Sequence, residues 1–138
     1  MPKSWRRPRL SAGFILVAAA LLLVPLSACD GQRLGSPVIP VEGGDPARGR
    51  DLLASYGCTG CHTIPGIRGA DATVGPPLTD WADRWYIAGL LINEPDELMH
   101  WIQDPQSIKP GVVMPNMGVT TEDARDIAAY LYTLSRGR

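Results

Sequence analysis

Apolar residues recur at helical spacing in four segments of this chain, and stretches rich in glycine and proline separate them. The helices predicted from this pattern cover residues 45–57, 79–91, 93–104 and 120–134. Asp45 is the expected N-cap of the first, with Pro46 at the first helical position, and Thr120 is the expected cap of the last. Residues 105–119 hold three prolines and two glycines and are predicted to form a loop. Because no segment shows the period of two that strands require, the predicted fold class is all-α.

The N-terminal residues have the pattern of a secretory signal. A basic stretch from Lys3 to Arg9 precedes an apolar stretch from Leu10 to Leu26, and small residues follow. The tetrad Leu-Ser-Ala-Cys that ends at Cys29 resembles the lipobox of bacterial lipoproteins, which implies a signal peptide over residues 1–28 and a lipid on Cys29. An uncleaved membrane anchor and a cleaved signal without lipid are the alternatives. All three place the domain outside the cytoplasm. Asp30 resembles the signal that keeps lipoproteins of enteric bacteria on the inner membrane, which implies the periplasmic side of that membrane.

A change in composition separates this signal from a folded domain. Residues 30–44 contain four glycines and two prolines and show no helical periodicity. A flexible segment of about 15 residues has a root-mean-square reach of roughly 20 Å. We therefore expect the lipidated Cys29 and a flexible linker over residues 29–43, and a folded domain over residues 44–138. Such a tether would keep the domain near membrane-bound partners.

The acidic and basic residues are segregated along the chain. Four of the 13 basic residues precede the apolar stretch, whereas all 14 acidic residues, from Asp30 onward, follow it. The domain is therefore acidic, although the net charge of the whole chain is only −1. Binding to nucleic acid needs a basic surface, so the charge argues against that class of function. A charged docking partner is instead expected to present a basic patch.

The segment from Cys58 to His62 reads Cys-Thr-Gly-Cys-His, the attachment signature of c-type haem. Two thiols three residues apart add to the two vinyl groups of the porphyrin, and the adjacent His62 faces the iron. A thioredoxin-like pair would need a βαβ context, and a structural zinc site would need a second pair of ligands. If Cys58 and Cys61 carry one covalent haem c and Cys29 carries lipid, none of the three cysteines remains a free thiol.

The iron needs a sixth ligand opposite His62, and three residues are candidates. Met114 lies in a loop bounded by prolines, long enough to bring a thioether over the ring. Met117 lies closer to the last helix, where packing is its simpler role, and His100 fits the exposed side of an amphipathic helix. Met114 is therefore favoured, with Met117 and His100 as alternatives. Ligation by histidine and methionine raises the reduction potential and leaves no open position for a substrate, which favours an electron carrier over an enzyme.

Several short motifs together make residues 44–134 similar to the class I cytochrome c family. The similarity is greatest to the cytochrome c domains associated with subunit II of bacterial cytochrome c oxidases. Besides the haem-attachment motif, the segments that carry it are Gly44-Asp45-Pro46, Gly75-Pro76-Pro77-Leu78, Trp101-Ile102-Gln103-Asp104-Pro105-Gln106, Lys109-Pro110-Gly111, Met114-Pro115 and Ala129-Tyr130-Leu131. The resemblance implies a small fold of four helices wrapped around one covalent haem.

The resemblance also implies roles for single residues. His62 would be the proximal iron ligand and Met114 the distal one. The carbonyl group of Pro76 would accept the proton on the other ring nitrogen of His62 and so fix the ring. Trp101 would pack beside the haem.

Further expectations concern packing and recognition. Gly49 would let the first helix cross the last one closely at Tyr130. Arg84, Trp85 and Tyr86 would serve the haem propionates, with plain helix packing or solvation as the alternative. An apolar docking patch around the haem edge would consist of Ile64, Pro65, Val113 and Pro115, with mere coverage of the ring as the alternative.

These observations favour a membrane-tethered, mono-haem carrier of single electrons in a respiratory chain. It would receive electrons from a quinol-oxidising complex or another cytochrome and deliver them to a terminal cytochrome oxidase. The alternative is an electron-accepting cytochrome subunit of a periplasmic dehydrogenase. A haem enzyme or gas sensor with an open iron site is a third hypothesis, and no catalytic residue is predicted.

Overall fold

Helices and one short hairpin follow each other along the residues that the computed structural model describes, 39–136. The elements are α1 (Pro46–Ser55), β1 (Tyr86–Ile87), β2 (Leu91–Ile92), α2 (Pro95–Gln103), α3 (Pro105–Ile108) and α4 (Thr121–Leu131), with 3-10 turns at Cys58–Gly60 and Trp81–Asp83. Because each strand holds only two residues, the predicted all-α class is confirmed. The signal peptide, Cys29 and residues 30–38 of the linker lie outside the described residues.

Helix α1 begins where its capping residues predict. The carboxylate of Asp45 accepts hydrogen bonds from the N–H groups of Ala47 and Arg48, at 2.8 and 3.1 Å, and satisfies two free donors at the helix start. Pro46, which has no N–H to satisfy, occupies the first turn. The helix ends before Gly57, whose φ of 76° is a left-handed conformation that glycine adopts without strain. This reversal turns the chain directly into the cysteine motif.

Helices α1 and α4 cross in direct backbone contact at Gly49. A Cβ at this position would overlap the carbonyl group of Asp126 and would lie 2.9 Å from the backbone nitrogen of Ile127. The close crossing was expected, but its position was wrong: Gly49 meets α4 one turn before Tyr130. The Tyr130 hydroxyl instead donates a hydrogen bond to the carbonyl of Pro65, at 2.6 Å. Tyr130 therefore ties the loop after the cysteine motif to α4.

Charged side chains reinforce the crossing of α1 and α4. Arg48 forms ion pairs with Asp123 and Asp126, and Asp126 also accepts a hydrogen bond of 2.8 Å from the N–H of Asp45. The Tyr56 hydroxyl donates to Asp123 at 2.6 Å. This hydrogen bond, with a smaller effect of Arg48, holds the pKa of Asp123 below its usual value although burial acts in the opposite direction. This network of hydrogen bonds and ion pairs holds α1 and α4 together.

The helix predicted over residues 79–91 is wrong. The chain there forms a 3-10 turn followed by strands β1 and β2, which pair antiparallel. Ala88 and Gly89 have positive φ angles of 51° and 73°, and consecutive positive values are what a tight hairpin turn needs. A hydrogen bond of 2.9 Å from the N–H of Leu90 to the carbonyl of Ile87 closes the turn.

A buried asparagine explains why that helix does not continue. The side-chain nitrogen of Asn93 donates to the carbonyls of Trp81 and Arg84, both at 3.0 Å. A growing helix would have satisfied those carbonyls with its own N–H groups. The helical spacing of Trp81 and Trp85 was misleading, because Trp81 is buried whereas Trp85 is 83% exposed.

The loop predicted over residues 105–119 contains one helical turn, α3. Its N-cap is Asp104, whose carboxylate accepts the N–H of Ser107 at 3.2 Å. The rest of the segment is loop as predicted and leads to α4. Thr120 caps that helix as expected, because its hydroxyl accepts the N–H of Asp123 at 3.1 Å.

Apolar side chains from α1, α2, α4 and the intervening loops form one buried cluster. Its larger members are Leu53, Ile64, Leu78, Trp81, Ile87, Leu98, Trp101, Ile102, Ile127, Leu131 and Tyr132. Within residues 39–136, no helix is long and apolar enough to cross a membrane.

Candidate cofactor site

A cavity of about 570 Å³ lies among the helices. Protein interiors rarely leave voids much larger than a water molecule, and cavities of several hundred Å³ are typical of ligand sites. Its walls are mostly apolar and include Leu53, Leu78, Trp81, Ile87, Leu98, Trp101, Ile102, Ile127 and Leu131. The residues expected to hold a haem, Cys58, Cys61, His62 and Met114, all line it.

The two cysteines and the histidine are brought together by the 3-10 turn after α1. The N–H groups of Cys61 and His62 both donate to the carbonyl of Cys58, at 3.2 and 3.0 Å. One tight turn therefore presents two thiols and an imidazole to the same cavity. No disulfide joins Cys58 to Cys61, so both sulfur atoms are available for thioether bonds, and burial raises the pKa of the Cys58 thiol.

One hydrogen bond fixes the orientation and the tautomer of His62. Its Nδ1 lies 2.7 Å from the carbonyl oxygen of Pro76. Because a carbonyl can only accept, Nδ1 must carry the ring proton, and Nε2 keeps the lone pair with which an imidazole binds a metal. Such a backbone carbonyl behind the imidazole is typical of metal-ligating histidines. Pro76 thus lies where the resemblance implies.

The chain beyond His62 folds back so that Gly75 lies against the imidazole ring. The N–H of Gly75 donates to the carbonyl of Cys61 at 2.7 Å, and the N–H of Leu78 donates to the carbonyl of Thr63 at 2.8 Å. A Cβ on Gly75 would stand 2.5 Å from Cε1 and 3.0 Å from Nε2 of His62. The absence of a side chain at this position leaves the ring its room.

The structure separates the three candidates for the sixth ligand. Met114 and Met117 line the cavity, whereas His100 lies outside its lining. Met114 packs against the buried core, but Met117 is 39% exposed, and its methyl group lies 3.8 Å from a Cβ built on Gly57. His100 is exposed on α2, with Nε2 3.5 Å from the hydroxyl of Ser107. This placement favours Met114.

Two tryptophans form part of the buried wall. Trp101, which was expected there, is 8% exposed, and Trp81, which was not predicted to lie at the site, is 5% exposed. The indole N–H of Trp81 makes no well-aligned hydrogen bond within residues 39–136, although it lies near the hydroxyl of Tyr132. That hydroxyl donates to Asn93 at 3.0 Å, and burial raises the pKa of Tyr132, so the hydroxyl remains a donor.

Two cations, Arg84 and Lys109, line the otherwise apolar cavity. The guanidinium of Arg84 lies 4.9 Å from the ring centroid of Trp81 and donates to the carbonyls of Pro77 and Thr79. Burial lowers the pKa of Arg84. None of the described residues that line the cavity is acidic. The site therefore suits an apolar ligand that carries negative charge.

Trp85 and Tyr86 were expected, like Arg84, to serve the haem propionates. They are 83% and 61% exposed at the start of the hairpin and do not line the cavity. Of the three candidates, only Arg84 is brought to the site.

The expected apolar docking patch is partly contradicted by the structure. Val113 and Pro115 line the cavity and are exposed, and Val113 is 84% exposed. Ile64 is 2% exposed and belongs to the core, and Pro65 is half-buried. Val74, which the sequence did not suggest, is 70% exposed and lines the cavity beside the site. Two loops therefore contribute the exposed apolar residues of the cavity lining, one with Val74 and one with Val113 and Pro115.

The cavity offers the groups that a c-type haem requires. Two thiols, an imidazole with a free Nε2 and a thioether line it, its walls are mostly apolar, and its lining holds two cationic side chains and, among the described residues, no acidic one. The residues present therefore fit a covalently bound haem.

The chain is also similar in sequence to known proteins. The cytochrome c family model matches residues 46–135. Cytochrome c oxidase subunit 2 of Alkalihalophilus pseudofirmus OF4 is 40% identical over 88 residues, which is 63% of this chain and 25% of the relative. The subunit 2 of Bacillus sp. PS3 is 34% identical over 108 residues, 75% of this chain and 29% of the relative. That of Bacillus subtilis 168 is 30% identical over 87 residues, 62% of this chain and 24% of the relative.

The chain thus spans about a quarter of the length of these curated relatives. The family match includes the described helices and all the residues that line the cavity. The chain therefore belongs to the cytochrome c family, whose domain binds haem and transfers electrons.

Proposed function

We propose that this protein is a mono-haem c-type cytochrome, with thioether bonds at Cys58 and Cys61 and axial iron ligands His62 and Met114. The observation that carries the proposal is the 2.7 Å contact between Nδ1 of His62 and the carbonyl of Pro76. In the neutral imidazole it makes Nε2 the nitrogen that carries the lone pair, in a cavity that both cysteines and Met114 also line.

The bound haem supplies a one-electron couple between ferric and ferrous iron. The residues of the chain set the conditions for that couple. Pro76 holds His62 in one tautomer, and Met114 provides the soft ligand that favours the reduced state. Trp81 and Trp101 keep water away, and Arg84 supplies a cation for a propionate.

Haem attachment tests the number and linkage of the cofactor. We expect one haem per chain in the alkaline pyridine spectrum, and we expect it to stay with the chain on a denaturing gel. Changing Cys58 and Cys61 together to alanine should abolish that covalent retention, whereas Ser55→Ala on the exposed side of α1 should preserve it. Two haems per chain, or haem lost from the wild-type protein on the gel, would contradict the proposal.

We further propose that the carrier is tethered to the periplasmic side of the inner membrane through Cys29 and delivers electrons to a terminal oxidase. The lipobox supports the tether. The relatives named cytochrome c oxidase subunit 2 support the electron acceptor, although they match over about a quarter of their length. The exposed Val113 at the site offers an apolar surface on which a partner could approach.

The tether and the partner are tested separately. Cys29→Ser should release the protein from membranes into the periplasmic fraction, and equal membrane retention would contradict lipidation. Deleting the gene should slow the oxidation of membrane cytochromes. Co-purification with a dehydrogenase, combined with unchanged oxidase respiration in the deletion strain, would contradict oxidase delivery and favour the dehydrogenase-subunit alternative.

A further inference from the structure

The loop that carries Met114 is held by one side chain outside the cavity, that of Gln106 on α3. Its Nε2 donates to the carbonyls of Val112 and Met114, both at 2.8 Å. Its Oε1 accepts the N–H of Gly111 at 3.1 Å. Three backbone groups within four residues are therefore held by a single amide.

The orientation of this amide follows from its partners. The two carbonyl groups can only accept and the N–H group of Gly111 can only donate, so the side-chain nitrogen and oxygen of Gln106 cannot be exchanged. Glutamine is the one common side chain of this length that presents two donors and an acceptor together. A carboxylate in its place would face two carbonyl oxygens and repel them.

The far side of the loop has a second anchor on the same helix. Asp104, the N-cap of α3, accepts a hydrogen bond of 3.0 Å from the side-chain amide of Asn116. This bond is the largest contribution that lowers the pKa of Asp104. Met114 therefore lies between two segments that are both fastened to α3.

We propose that Gln106 is the positioning residue for the distal ligand: it holds the backbone of Met114 so that the thioether stays at the iron. The inference rests on the proposed ligation by Met114. Gln106 does not line the cavity, so its effect must pass through the loop. Without its three hydrogen bonds, the loop should open more often and expose the sixth position to other ligands.

The test compares Gln106→Leu and Gln106→Glu with the matched control Gln103→Leu in the purified, haem-loaded protein. Gln103 lies on α2, and its side chain donates to the hydroxyl of Thr121 at 3.0 Å rather than to the backbone of residues 111–114. The leucine variant removes all three bonds with little change in size. The glutamate variant keeps the acceptor for Gly111 but loses both donors, and it remains useful if the leucine variant matures poorly.

Imidazole binding to the oxidised protein measures how often the sixth position opens. For both Gln106 variants we expect imidazole affinity to rise about tenfold to a hundredfold, because each lost hydrogen bond favours the open loop. We also expect a weaker Met-to-iron charge-transfer band and a lower reduction potential. The Gln103 control should match the wild type in all three measurements.

The outcomes separate this inference from the ligation on which it rests. A wild-type protein without the charge-transfer band would overturn the ligation by Met114. In the other outcome, the wild type shows that band while the Gln106 variants match the control in imidazole affinity and reduction potential. That result would overturn the role of Gln106 alone.

Discussion

Replacing Gly75 by alanine would place a methyl group against the imidazole ring of His62. The new Cβ would stand 2.5 Å from Cε1, and ordinary contact begins at 3.4 Å, so the ring or the loop must retreat by about 0.9 Å. If the ring retreats along its hydrogen bond, the 2.7 Å distance from Nδ1 to the carbonyl of Pro76 grows to about 3.6 Å, beyond hydrogen-bond range. If the loop retreats, the 2.7 Å bond from Gly75 to Cys61 is lost instead.

Both responses cost stability. Overpacking of this kind costs about 1–3 kcal/mol, and the lost hydrogen bond adds about 1 kcal/mol. We therefore expect Gly75→Ala to lower the free energy of unfolding of the oxidised, haem-loaded protein by about 2–4 kcal/mol. If the ring loses its bond to Pro76, His62 also becomes a less basic ligand, and the reduction potential should rise.

The assay is guanidinium unfolding followed through the haem absorption, with the reduction potential measured on the same samples. Gly60→Ala is the matched control, because a Cβ on Gly60 meets nothing within 4 Å. We expect the control to stay within about 0.5 kcal/mol of the wild type. A Gly75→Ala protein as stable as the control would refute the reasoning that this glycine makes room for the imidazole.

Three further predictions concern the fold and the surface. The pKa of Asp123 is lowered in the folded protein, mainly by Tyr56, so the ionised carboxylate stabilises the fold above its unfolded pKa and this stabilisation is lost on acidification. In urea unfolding across pH, the free energy of unfolding of Asp123→Asn should therefore fall less below about pH 4 than that of the wild type. Tyr130→Phe removes the 2.6 Å bond to Pro65 and should lower the free energy of unfolding by about 1 kcal/mol, and an unchanged value in denaturant titration would contradict this. Val113→Asp places a charge on a residue that is 84% exposed at the site; it should slow electron transfer to a physiological partner about tenfold in stopped flow with little change in potential, and an unchanged rate would remove this residue from the docking surface.

The sequence predictions were correct where the deciding contact joins residues that are close together in the chain. Asp45 and Thr120 cap their helices with bonds to residues two and three positions along the chain, so their patterns are sufficient. The motif from Cys58 to His62 is also local, since its turn is closed by bonds inside the motif. These signals were enough to predict the fold class and the location of the candidate site.

Contacts between distant residues account for the errors. Asn93 ends the predicted second helix by binding carbonyls nine and 12 residues earlier, which helical periodicity does not reveal. The sequence predicted that Gly49 lies at a close helix crossing. Its neighbour on α4 is Asp126 rather than Tyr130, because packing sets the register of two crossing helices. The three bonds from Gln106 likewise depend on how a loop without periodicity folds back on α3.

The most direct test of the proposed iron ligation is the charge-transfer spectrum of the oxidised protein in two methionine variants. Met114 and Met117 both line the cavity, so each change removes one thioether while the other stays available. We expect the Met-to-iron band to be present in the wild type and in Met117→Ala, and absent in Met114→Ala. A band that persists in Met114→Ala and disappears in Met117→Ala would contradict the assignment and make Met117 the distal ligand.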